Sequence, residues 1–427
     1  MIELICSMAG EYVGNCSTDC FSVIVMHMKL FRKKKEFVLM HRKTPVILFA
    51  YDSSSHEVTS IIETYNPMHL PIGIQKGGKI QITLFNRWMK ERMIPESAYG
   101  LQETLAALSV SSRNDLLMKA YGISLCDTYW FVENGQHVNW MAVSPYHHDY
   151  DLSGFRKARF TGESQPASTA ISPSIMLSGN QKKAWVKDNG QFLLDKGSDD
   201  PYQMDPIHHW LAGRIAGLLD LHACRYELEI VEGQLISVSP CFTKEHTDAV
   251  TVQSVLSSVS SRPYQLSIDA YIHSLEEHGI KDAKKKISDM LLLDYLLLKP
   301  DRKLTDMAVE IDARNGQWLD PVPAYSFSHT LGSLIPDADI ENYDHHATCN
   351  LFNASSLSFE SLLPYIRFDD YDLSLLKQIP LEYGNQLVEY RELTGMNNHR
   401  IELQYQLIYN RIRSVFKAAR IYRRKLQ

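Results

Sequence analysis

Leu296 to Val309 reads LLLKPDRKLTDMAV, an apolar run that stops at Pro300 and delivers Asp301, Arg302 and Lys303. Proline lacks a backbone donor and its ring collides with the preceding turn, so a helix is expected to end here. Asp301 would then stand on a loop mouth beside a rigid core element, where a catalytic base can sit. Asp306 follows five residues later. In phosphoryl transfer of the protein-kinase type an Asp accepts the hydroxyl proton, and a residue five positions on, normally Asn, holds a metal on the same loop. The plainer alternative is that Asp301 merely caps a turn after the proline. Upstream, Met290, Leu291, Leu293, Tyr295, Leu297 and Leu298 form a stripe that reads as buried core.

Composition sets limits around this stretch. The chain has 427 residues, 44% hydrophobic and 22% charged, with 44 Lys+Arg against 50 Asp+Glu for a net charge of −6. That length can bury a sizeable core over two or three units, and the mixture excludes a disordered or fibrous chain. A charge so near balance offers no global basic field, so nucleic acid is not an expected partner. The seven cysteines are scattered without a C-x-x-C pair, which fits a reducing compartment and a cytoplasmic protein. Phe21 to Met28 is too short to span a bilayer, and the basic residues Lys29 and Arg32 to Lys35 follow it, the reverse of a signal peptide's order. No membrane association is expected. Residues 1–35 read as an N-terminal extension that could be disordered.

From Glu36 the text is strand-like, FVLMHRKTPVILFAYD and then EVTSIIETYNPMHLPIGI after the turn Ser53-Ser54-Ser55. Helices are expected at Ile82 to Arg92, Gln102 to Leu108 and Arg113 to Ala120. The segment Gly162 to Ser174 is poor in apolar bulk and reads as a linker. Beyond it, KKAWVKDNGQFLLDKG is a hairpin around Asp188-Asn189-Gly190, where Asn-Gly supplies the positive φ of a tight turn. A helix should follow from Asp205 as N-cap and Pro206 at the first helical position to Leu219. Two more strands flank Glu232-Gly233. From about Leu266 onward the chain reads as helical, including SFESLLPYIRF and a terminal helix from Asn398 to Arg424. A sheet-plus-helix lobe followed by a helical lobe is the layout of a kinase-type cleft.

The chain resembles the HipA-like serine/threonine kinase family, in its bacterial branch with LPxG, WxxxRxIP and SLxDxYW signatures. Here they stand as Leu70-Pro71-Ile72-Gly73, Trp88-x-x-x-Arg92-Met93-Ile94-Pro95 and Ser124-Leu125-Cys126-Asp127-Thr128-Tyr129-Trp130. The second half continues with Ser172-Pro173-Ser174, Lys196-Gly197, Asp205-Pro206, Leu211-Ala212, Tyr226-Glu227-Leu228, Pro240-Cys241-Phe242 and Asp301-Arg302. The resemblance covers about residues 36–427 and implies an α+β, bilobal protein-kinase-like fold, a small sheet lobe plus a helical lobe, preceded by a small α/β domain. The expected division is 36–165 for that domain, 166–243 for the small lobe and 244–427 for the helical lobe. Asp301 would be the catalytic base, Lys196 the nucleotide lysine and Asp306 a metal ligand. Gly179, Lys182 and Lys183 would belong to the phosphate loop, with ATP and Mg²⁺ as possible cofactors. A protein substrate or an antitoxin-like partner protein is implied.

The departures bear on activity. Where relatives read N-x-D-R-H-x-x-N, this chain reads Lys299-Pro300-Asp301-Arg302-Lys303-Leu304-Thr305-Asp306. Where they read P-x-F-D-S-G it reads Pro323-Ala324-Tyr325-Ser326-Phe327-Ser328, so Ser326 takes the place of the metal carboxylate. His208-His209 replace an Asn-Glu pair, and the lysine falls on Lys196 only with a one-residue shift, the ungapped position being Asp195. Losing the main metal carboxylate should cost on the order of 10²-fold or more in rate. The expectation is a catalytically impaired, pseudokinase-like protein acting by nucleotide or partner binding, with weak or absent ATP and Mg²⁺ binding. The alternatives are an active Ser/Thr kinase that uses Asp301 and Asp306, and a non-nucleotide interaction module with Tyr325 or Phe327 filling the cleft.

Other features read as ordinary. The pairs His147-His148, His208-His209 and His345-His346 lack the i, i+4 geometry of a zinc helix and are expected at the surface. Lys284 to Lys286 and Arg420 to Lys425 read as solvated faces. Trp88, Trp130 and Trp140 read as packing residues.

Overall fold

A computed structural model describes residues 34–148, 153–163, 172–177, 179–259, 268–352 and 354–426. Most of the expected extension and the centre of the expected linker lie outside these residues. The described chain mixes several sheets with helices.

Strands β1 (Lys34–His41), β2 (Thr44–Asp52) and β3 (Glu57–Thr64) form an antiparallel meander. Helices α1 (Ile82–Glu91), α2 (Leu101–Ala107) and α3 (Arg113–Lys119) follow, and β4 (Tyr129–Glu133) returns beside β1, giving the order β3-β2-β1-β4. Alternation along the strands sends Leu39, Phe49 and Phe131 to one face, where Phe85, Met89 and Leu116 of the helices cover them. Trp130 packs on the opposite face with Trp140. The end of the expected strand text is not strand: Pro67–His69 is a single 3-10 turn, and Leu70 to Ile74 is turn and irregular backbone. Gly73 there has φ +94, and a Cβ would come within 2.9 Å of the Ser254 carbonyl oxygen, so only glycine fits this close approach.

Past helix α4 (Ser153–Thr161), strands β5 (Lys183–Asp188) and β6 (Gln191–Lys196) form the expected hairpin, with Asn189 at φ 47 and Gly190 at φ 81 in the turn. Helix α5 (Asp205–Leu219) intervenes before β7 (Glu227–Val231) and β8 (Gln234–Pro240), and the second sheet runs β5-β6-β8-β7. Asp205 is not the N-cap of α5. Asp200 does that work, its carboxylate accepting the N–H groups of Met204 and Asp205, which frees the Asp205 side chain for contacts elsewhere.

Strand β9 (Thr247–Thr251) leads into helices α6 (Val252–Val259), α7 (Ile268–Glu277) and α8 (Ala283–Leu296). The turn strand β10 (Asp301–Arg302), then β11 (Ala308–Asp312) and β12 (Trp318–Pro321), build a third sheet β9-β11-β12, while β10 pairs in parallel with β13 (Thr348–Leu351) and onward to β14 (Ala354–Ser358). Helices α9 (Ile379–Glu389) and α10 (Asn398–Leu426) close the fold. SFESLLPYIRF is a 3-10 segment, Phe359–Tyr365, because Pro364 cannot donate inside an α-helix.

The core stripe of α8 is buried as expected, and one large apolar cluster joins it to α5, α9 and α10. The helix, however, ends before Pro300 can act. Leu298 turns left-handed at φ 49, and the Lys299 N–H closes back on the Asp294 carbonyl at 3.0 Å, the pattern of a helix C-terminus.

Two of the three signatures of the first half meet at one seam. Arg92 forms an ion pair with Asp127 and donates to the carbonyls of Gly122 and Tyr129 at 2.6 and 3.0 Å. Next to it, the buried Asp248 of β9 accepts from the N–H and Oγ of Thr128 at 2.8 and 2.9 Å, and His41 Nε2 lies 2.8 Å away. Replacing Asp248 by Ala strands these donors in the interior. A loss of about 3 kcal/mol in urea-unfolding free energy is expected, and an unchanged midpoint would refute the interlock.

Candidate functional site

Register places the first three residues. Lys183 of β5 faces Lys196 of β6, and Lys196 faces Ser237 of β8, so all three project from one face of the sheet toward α5. Asp195, one position earlier, points to the other face and accepts from Arg156 Nε at 2.6 Å. The period of two separates the neighbours: Lys196 faces α5 and Asp195 faces Arg156.

Where the Lys196 amine ends, it meets His209 and not a carboxylate. Lys196 Nζ is 3.4 Å from His209 Nε2, whose Nδ1 lies 2.8 Å from Ser237 Oγ. Tyr226 stacks on the imidazole at 5.1 Å. Burial, then the Lys196 charge, holds His209 well below its ordinary pKa, so it is neutral. Neither histidine of the pair is at the surface, contrary to expectation. Helix α5 is buried nearly all round, and His208 points the opposite way, to the Tyr383 hydroxyl at 2.9 Å.

The turn before β5 reaches across to this group. Ser328 Oγ stands 2.8 Å from Gln181 Oε1 and 3.1 Å from His209 Nε2, and Gln181 Nε2 donates to Asp205 Oδ2 at 2.5 Å. Lys182 turns away, to Gln234 Oε1 at 2.7 Å and over the Tyr99 ring. Lys183 instead lies beneath Gly179, where a Cβ would come within 2.6 Å of its amine; the left-handed φ of +84 and the missing side chain both favour glycine. Burial, then the Lys196 and Arg159 charges, pushes Lys183 down to about 7. Lys196 is pushed down to about 8, again by burial first, with Asp205 and Asp306 pulling the other way.

Asp301 stands at the mouth of its turn, half-buried. Lys299 Nζ approaches Oδ1 at 3.1 Å and Lys303 Nζ approaches Oδ2 at 3.2 Å. Burial alone would raise this carboxyl, but Lys299 and then Lys303 outweigh it and hold the pKa below its ordinary value. Lys299 also donates to the Ser328 carbonyl at 3.2 Å, joining the Asp301 turn to the Ser326–Ser328 segment. Asp306 ends the 3-10 turn Leu304–Asp306 that follows, its N–H donating to the Lys303 carbonyl at 2.9 Å. Ser326 is left-handed at φ 66, and its backbone hydrogen-bonds the Tyr226 hydroxyl. Phe327 is buried beneath the Arg302 guanidinium, and Tyr325 lies against Phe242 at 5.5 Å.

Lys196 and Asp301 are thus linked through His209, Ser328 and Lys299, with Lys183 opposite Lys196 in the sheet, while Lys182 turns away. Sequence reasoning missed Gln181, Lys299 and Ser328, none of which carries a local signal. A kinase-type pair of magnesium ions does not fit this donor set. Mg²⁺ needs hard oxygen ligands in octahedral array, whereas here Ser326 is uncharged and both Asp301 oxygens are held by ammonium groups.

No family model matches the chain, and no curated protein matches it. Among solved structures it is similar to the Helicobacter pylori proinflammatory kinase CtkA, at 15% identity and a TM-score of 0.45, over 58% of this chain and 94% of that one. It is also similar to a chain of the Shewanella oneidensis MR-1 toxin–antitoxin complex of HipA, HipB and operator DNA, at 12% identity and a TM-score of 0.49, over 90% of this chain and 96% of that one. Both likenesses are distant. Among the described residues no helix is long and apolar enough to cross a membrane.

The lysines have a consequence for pH. A Lys183 pKa near 7 in the folded state, against 10.5 for the ordinary group, means that the unfolded chain holds more protons between those values. The penalty is complete below pH 7 and is relieved as pH rises toward 10.5, so this group makes stability climb with pH across the window. Lys183→Met should flatten the rise seen in urea melts at pH 7, 8.5 and 10. An identical slope in wild type and variant would contradict the buried position.

Proposed function

We propose that this chain is a HipA-like, bilobal kinase-fold protein with impaired phosphoryl transfer, acting through binding of a nucleotide or a protein partner in the cytoplasm. In this reading residues 36–165 form the leading domain. Strands β5–β8 with α5 form the small lobe, and residues 244–427 form the helical lobe. The observation that carries it is the Lys196–His209 contact. A kinase lysine is oriented by a carboxylate and so keeps its charge for the phosphates. A neutral imidazole orients the amine without an opposite charge to stabilise it, and burial and the nearby Lys299 charge disfavour the ammonium further.

Asp301 retains the position of a base. With both oxygens held by lysines and its pKa depressed, it is ionised but weakly basic, and a general base works best with a pKa near the working pH. Were ATP and Mg²⁺ to bind, Lys183 and Lys196 would be the residues placed to meet phosphate oxygens, and the metal would supply charge neutralisation that Ser326 cannot anchor. The competing reading, an active Ser/Thr kinase using Asp301 and Asp306, draws support from the half-buried position of Asp301 on its turn. An antitoxin-like protein is the kind of partner the sequence resemblance suggests.

Radiolabelled phosphate transfer from ATP with Mg²⁺ separates the two. Wild type should incorporate no more label into itself or a generic acceptor protein than Asp301→Ala does. Asp301-dependent incorporation at ordinary kinase turnover, about 1–100 s⁻¹, would overturn the impaired reading.

A further inference from the structure

Among the described residues, one group of metal-ligating side chains adjoins the positions considered above. Asp199 and Asp205 come from the turn and first residue of α5, and His329 follows the Ser326–Ser328 segment. One ligand atom from each lies within 4.8 Å of the others. His329 Nε2 is 2.8 Å from Asp199 Oδ1 and 3.7 Å from Asp205 Oδ2. A divalent ion with bonds of about 2.0–2.2 Å needs neighbouring ligand atoms about 3 Å apart, so small rotations suffice.

The outer contacts are already arranged. Asp205 is fully buried, its Oδ1 accepting from the His329 backbone N–H at 2.7 Å and its Oδ2 from Gln181 Nε2 at 2.5 Å. Hydrogen bonds of this kind orient a ligating carboxylate and leave a lone pair on each oxygen for the ion. Asp199 and His329 remain open to solvent, with relative side-chain exposures of 49% and 32%, which gives an entry path and free coordination positions for water.

We propose that Asp199, Asp205 and His329 form a binding site for a single divalent transition-metal ion. One imidazole with two carboxylates suits Zn²⁺, Mn²⁺ or Co²⁺ rather than Mg²⁺, which favours all-oxygen sites. The ion pins three segments that are distant in sequence: the turn before α5, the His329 segment and, through Gln181, the turn that precedes β5. This site is independent of Asp306 and of any phosphoryl transfer.

The test is titration of the full, metal-stripped chain with Co²⁺, read by its visible absorption, and with Zn²⁺ and Mn²⁺ by calorimetry. Wild type should bind one equivalent. His329→Ala and Asp199→Asn, both at solvent-accessible positions, should each weaken binding by roughly tenfold or more, with circular dichroism unchanged. Asp306→Asn should leave binding unaltered, which keeps the outcome separate from that for the kinase-like cleft. Equal binding in both site variants, loss of binding in Asp306→Asn alone, or no saturable binding by wild type would each overturn the proposal.

Discussion

The buried ion pair between Arg302 and Asp294 holds the architecture of the cleft together. Asp294 belongs to the core helix α8, and the Arg302 guanidinium meets its carboxylate through Nε at 2.9 Å and through Nη2. The same group donates to the Tyr325 carbonyl at 2.6 Å and covers the Phe327 ring at 5.2 Å. One side chain thus fixes the Asp301 turn to the core and sets the Tyr325–Ser328 segment beside it. A pair buried this fully need not add net stability against an apolar replacement, but removing one partner leaves an uncompensated charge, at about 3–5 kcal/mol. Its contribution is geometric.

From that geometry the electrostatics of the cleft follow. With Arg302 committed to Asp294, Lys299 and Lys303 flank Asp301, and Lys183 pairs across the strands with Lys196. The chain as a whole is acidic, with a net charge of −6, yet this cleft gathers its cations. Enclosed ammonium groups repel one another and are poorly solvated, and the depressed pKa values of Lys183 and Lys196 express both effects. A site of this kind favours an anion and disfavours an unaccompanied divalent cation. The neutral His209 fits the same logic, since a carboxylate there would have offset one of the lysines.

Much of this was legible in the sequence wherever the signal is local. Asn189-Gly190 fixed the hairpin, the stripe along α8 fixed the buried helix, and alternation along β1 and β2 fixed the first sheet. Errors arose where a tertiary contact outweighs a local rule. Asp205 has the profile of an N-cap, but Asp200 caps the helix and Asp205 faces Gln181 and His329 instead. His208 and His209 look like surface residues until α5 proves to be enclosed by the second sheet on one side and Tyr383 on the other. Pro364 shows the converse, a local rule overlooked within an apparently helical pattern. Gln181 and Ser328 are 147 residues apart and meet only in the folded chain, so no window of sequence could pair them.

On the proposed reading, Lys183 and Lys196 meet an anion and no Mg²⁺ position accompanies it. Calorimetric titration of the wild-type chain with ATP, in Mg²⁺ and again in EDTA, addresses this reading most directly. Affinity should be the same in both conditions. A tenfold or greater gain in affinity on adding Mg²⁺ would show a functional metal position and contradict the reading.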